Sequence, residues 1–79
     1  MKIKFNTFEN VKKFINYTSN LEHGVLVKKG RYIIDGKSLL GILSLDLTSE
    51  LEIELVETND NDVEKFISKM KELEICIEE

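Results

Sequence analysis

Leu51-Glu52-Ile53-Glu54-Leu55 alternates aliphatic and acidic side chains without a break. Successive side chains of an extended strand point to opposite faces, so the leucines and the isoleucine share one side and the glutamates the other. A sheet built around this strand keeps one face in water. Any helices must then collect on the other face, which is the open-faced α/β arrangement.

The rest of the chain supplies those helices and further strands. Lys2-Ile3-Lys4-Phe5 alternates with the period of a half-buried strand. Asn6 and Glu9 have the spacing of a capping box, and Phe8, Val11, Phe14, Ile15 and Thr18 then recur at three and four residues. The spacing predicts a first helix from Thr7 to Ser19. Val25-Leu26-Val27 and Tyr32-Ile33-Ile34 flank Lys28-Lys29-Gly30-Arg31, a hairpin with Gly30 in the turn. Gly36-Lys37-Ser38-Leu39-Leu40-Gly41-Ile42-Leu43-Ser44-Leu45 reads as a short central helix opened by Ser38. Asn61 and Glu64 form a second capping-box pair, ahead of a stripe of Val63, Phe66, Ile67, Met70 and Leu73. The expected class is α+β: an open-faced β-sandwich, βαββαβα, with a four-stranded antiparallel sheet and three helices on one face. The tail Glu74–Glu79 alternates through Ile75 and Ile77 and fits either a frayed end or a small extra strand.

Composition narrows the function. A chain of 79 residues has room for one domain with one modest core, burying only about 60% of its unfolded surface. A formal charge of −4 argues against nucleic-acid binding, which needs a basic surplus on one face. The lone Cys76 cannot form an internal disulfide and fits a reducing, cytoplasmic setting. No apolar run is long enough for a membrane span, and no signal-peptide pattern opens the chain.

The order of elements and the run Lys37-Ser38-Leu39-Leu40-Gly41-Ile42-Leu43-Ser44-Leu45 resemble the histidine-containing phosphocarrier protein (HPr) family of the bacterial sugar phosphotransferase system. The likeness runs ungapped from about Phe8 to Leu55. It implies a phosphocarrier histidine at the start of the first helix, supported by a nearby arginine. Thr7 stands at the histidine position and Glu9 at the arginine position, and the only histidine, His23, lies past the other end of that helix. The resemblance therefore leads to an HPr-like domain without phosphohistidine transfer, a non-catalytic module. It also implies that Ser38 matches a serine that many relatives have phosphorylated by an ATP-dependent kinase. If the two helix starts adjoin, Glu9 places a negative charge against a phosphate at Ser38.

Ser38 is in any case a helix cap. Ile42 and Leu45 are expected in the core, which leaves Leu39, Leu40 and Leu43 near the surface as a protein-partner site. The rival readings are a divergent phosphocarrier using Thr7 or His23, and a self-associating or small-ligand regulatory domain. No cofactor and no metal is expected: Asp60, Asn61 and Asp62 lack the loop of a calcium site and read as helix capping. Glu50, Glu52 and Glu54 read as a solvated strand face, Cys76 as an idle thiol, and Lys28, Lys29 and Arg31 as the only basic cluster.

Overall fold

Each apolar stripe must find the same sheet face, and the computed structural model, which describes residues 1–79, shows how. The elements in order are β1 (Lys2–Ile3), α1 (Phe8–Thr18), β2 (Gly24–Lys29), β3 (Tyr32–Asp35), α2 (Leu39–Leu43), β4 (Leu51–Val56), α3 (Asp60–Glu72) and β5 (Cys76–Glu78). They form one antiparallel sheet in the order β3-β2-β4-β1-β5. The expected four-stranded sheet is thus a five-stranded one, because the tail pairs with β1 rather than fraying.

Core residues come from every layer. Ile3, Val25, Val27, Leu51 and Ile53 from the strands meet Val11, Phe14, Ile42, Phe66 and Met70 from the three helices in a single cluster. The rings of Phe5 and Phe14 meet edge to face at 5.1 Å, and those of Phe14 and Phe66 at 6.3 Å. The opposite face is largely polar, with Leu26 of β2 and the exposed Ile33 of β3 among its apolar members. Across it the register sets Lys28, Glu52, Lys2 and Glu78 side by side, so charge alternates in sign from β2 through β4 and β1 to β5. Lys28 also pairs with Glu54. The strand glutamates therefore answer lysines on neighbouring strands.

Local backbone chemistry explains where elements begin and end. Gly30 has φ +57°, while Arg31 after it does not have a positive φ, the pattern of a type II′ connection between β2 and β3. The cap of α1 is Thr7, not Asn6: Asn6 sits at φ +65°, outside N-cap geometry, with its N–H on the Leu47 carbonyl. Thr7 is extended and accepts the Asn10 N–H at 3.1 Å. Likewise Asn59, not Asn61, caps α3 by accepting the Asp62 N–H at 2.8 Å. Asp60 and Asp62 in the first turn of α3, and Lys69 and Lys71 in its last, complement the helix dipole. Phe8, expected in the buried stripe, is half exposed at the first position of α1, its ring under the Lys12 ammonium.

The tail becomes a strand through the way α3 stops. Glu74 turns left-handed at φ +60°, its N–H bonds the Lys71 carbonyl, and the Ile75 N–H reaches back to Met70 at 3.1 Å. This is a Schellman motif. It turns Ile75 into the core and aims the chain along β1, where Lys4 N–H bonds the Ile75 carbonyl.

Two measurements check these points. Phe14→Ala is expected to cost about 3–5 kcal/mol in urea unfolding, a large part of the ~4–12 kcal/mol margin usual for a chain this long. Glu74→Gly relieves the left-handed strain and is expected to raise stability by about 1 kcal/mol.

Candidate functional site

The exposed apolar surface centres on α2, and short-range bonding fixes that helix. Asp35 accepts the Lys37 N–H on Oδ1 at 2.9 Å and the Ser38 N–H on its carbonyl at 3.0 Å, folding the chain back after β3. Ser38 is extended, and its Oγ accepts the Gly41 N–H at 3.1 Å. A Cβ on Gly41 would lie 2.6 Å from Cγ2 of Ile34. The missing side chain is what lets α2 settle onto β3.

Helical geometry then sorts the apolar residues. Ile42 points inward and is fully buried. Leu40, two positions earlier, lies roughly 200° around the helix, facing away from the core. It is 82% exposed, and Leu39 and Leu43 flank it at 36% and 38%. Leu45 is half-buried against the core rather than fully inside it. Leu39, Leu40 and Leu43 thus form an outward patch on a helix whose one fully buried residue is Ile42.

The chain leaves α2 through a turn held by Asp46, which accepts the Thr48 N–H at 3.0 Å and its hydroxyl at 2.7 Å. These bonds hold the Asp46 carboxyl below its ordinary value. Burial, with the Asp62 carboxylate nearby, raises the Tyr17 phenol.

The other sequence candidates lie apart. Thr7 caps the start of α1, with Glu9 in its first turn, paired to Lys12 at 3.5 Å. His23 lies between α1 and β2, half-buried, with Nδ1 3.3 Å from the Gly24 carbonyl. The two helix starts do not adjoin, which departs from the arrangement that the HPr resemblance implies. The Thr18 hydroxyl at the end of α1 donates to Gly36 before α2, while Asn6 before α1 bonds Leu47 after α2. The helices run in opposite senses, so Glu9 is not set against Ser38.

Of the basic cluster, Lys28 pairs with Glu54 and Lys29 donates to Ser49, which leaves Arg31 without an ion pair. No three His, Cys, Asp or Glu side chains converge on a common point that could hold a metal ion. A concavity of about 150 Å³ lined almost wholly by hydrophobic side chains lies among Met1, Ile53, Leu55, Val63, Phe66 and Ile67. That is below the few hundred Å³ typical of small-molecule sites. Sequence reading placed Tyr32 and Ile33 in a hairpin strand without singling them out, and both are exposed on β3.

Ser38→Ala should cost about 1 kcal/mol by removing the cap while leaving β4 in place. For Asp46 the lowered carboxyl stabilises the fold above the ordinary aspartate range and loses that contribution as pH falls through its depressed value. Asp46→Ala is therefore expected to lower stability at neutral pH and to shrink the loss of stability on acidification through and below the ordinary aspartate range, read by thermal melts. No family model matches this sequence, and no curated protein or solved structure matches it either.

Proposed function

We propose that this chain is an HPr-like domain without phosphocarrier chemistry, which binds a protein partner through Leu39, Leu40 and Leu43. The observation that carries the reading is the exposure of all three leucines on one short helix whose only fully buried residue is Ile42. Burying a leucine fully contributes roughly 1.5–3 kcal/mol, so a partner groove that accepts Leu40 gains a central anchor with Leu39 and Leu43 beside it. Two further observations support the family part: the likeness over Lys37–Leu45, and an antiparallel sheet with its helices on a single face.

Ser38 is the candidate switch. Ser38 is half-buried and lies one residue before the leucines. A phosphate there would add nearly two negative charges at the rim of the apolar patch and change which partner surfaces match it. A serine kinase is the implied second partner. The position of the family's histidine is occupied by Thr7, whose oxygen is already engaged by the Asn10 N–H, and His23 lies at the far end of α1.

A photo-activated cross-linking residue at position 40, introduced in the host cell, is expected to give a discrete adduct with a different polypeptide. Leu43→Asp should abolish that adduct while the circular dichroism spectrum stays unchanged. Adducts only between copies of this chain, or none at all, would overturn the partner reading. Labelled phosphoenolpyruvate with the general phosphotransferase proteins is expected to leave no acid-labile label on His23, and label there would restore a phosphocarrier role.

A further inference from the structure

The two edges of the sheet are not alike. The β5 edge ends in Glu78 and Glu79, with Glu74 just before it, and such clustered charge keeps another strand away. The β3 edge carries Arg31-Tyr32-Ile33-Ile34-Asp35, with no proline and no lysine, and Tyr32 and Ile33 are 69% and 61% exposed. Its regular register with β2 contains no bulge. By these criteria β3 is an unguarded edge.

Its backbone is free in a defined pattern. Tyr32 opposes Lys29 across the two-residue turn, and the Gly36 N–H bonds the Val25 carbonyl at 2.7 Å, so the even-numbered residues bond inward to β2. In an antiparallel ladder the alternate residues then turn their N–H and C=O outward. Ile33, at the middle of β3, therefore offers both groups to the edge.

The sequence of this edge is complementary to itself. Two copies laid antiparallel about a twofold axis at Ile33 place Ile33 opposite Ile33, Tyr32 opposite Ile34, and Arg31 opposite Asp35 on both sides. Arg31 has no ion pair within its own chain. The outward groups at Ile33 belong to the parity this register requires, so side-chain match and backbone match coincide. From this we infer that the chain self-associates as a symmetric dimer through β3, joining two five-stranded sheets into one of ten strands. Such a twofold axis stands perpendicular to the sheet and leaves both helical layers on the same side. Because α2 packs on β3 through Gly41 and Ile34, the two leucine patches come to lie beside the axis. The inference does not depend on what Leu39, Leu40 and Leu43 bind.

The test uses sedimentation equilibrium of the full chain from micromolar to millimolar concentration, with circular dichroism to confirm folding. The mass is expected to rise from that of one 9.2 kDa chain towards that of two and to level off there. Ile33→Glu faces Lys28 within the fold but its own copy across the axis, so it should stay monomeric and folded. Arg31→Asp and Asp35→Arg should each weaken self-association at least tenfold, and their equimolar mixture should restore it, because each then meets the opposite charge. Leu40→Asp should dimerise like the parent chain. A mass that stays at one chain throughout overturns the proposal, as does a mass that grows past two. Dimers lost in Leu40→Asp but kept in Ile33→Glu would assign the contact to α2 instead.

Discussion

The architecture depends on one close approach, where Gly36 meets Val25 and Thr18. A Cβ at Gly36 would fall 2.5 Å from Cγ1 of Val25 and 3.0 Å from its carbonyl oxygen, so the chain leaving β3 can cross there only as glycine. The Gly36 N–H bonds that same carbonyl, and the Gly36 carbonyl accepts the Thr18 hydroxyl at 2.9 Å. Thr18 is wholly buried at the end of α1, and its polar group is satisfied by this contact. One residue thereby ties β2, the end of α1 and the start of α2 together. Left without that hydroxyl, the carbonyl would carry a desolvation cost of about 1–3 kcal/mol, large for a domain this small.

That junction also determines which surfaces stay outside. It brings the chain into α2 at a fixed height above β3, and Gly41 lets the helix sit close. A helix of five residues pressed so near the sheet can turn only a narrow side inward, and Ile42 fills it. The remaining leucines are displaced outward by geometry rather than by weak packing. β3 stands at the margin of the same sheet, with Tyr32 and Ile33 exposed.

Much of the layer arrangement was legible because periodicity reports burial directly. The strict alternation of β4, the stripes of α1 and α3, and the glycine turn between β2 and β3 all stand where the residue pattern places them. Capping was less legible. Asn6, Thr7, Asn59 and Asn61 are all competent caps, and the choice among them falls to backbone conformation: left-handed at Asn6, extended at Thr7 and Asn59. Phe8 was misleading for a related reason. An apolar side chain in the right period is drawn inward only where a neighbouring layer extends far enough to meet it, and Phe8, at the first position of α1, has no such cover.

What the residues alone determined is the one-sided character of the sheet, the hairpin, and the division of the Ser38 helix between a core side and an outward set. These follow from periods and side-chain chemistry that operate within a few residues. The tertiary structure alone decided that the tail becomes β5, that α1 and α2 run in opposite senses, and that β3 ends the sheet. Those outcomes depend on contacts between segments far apart in the chain, such as Ile75 with Lys4 and Thr18 with Gly36, whose geometry is set only when the whole core closes.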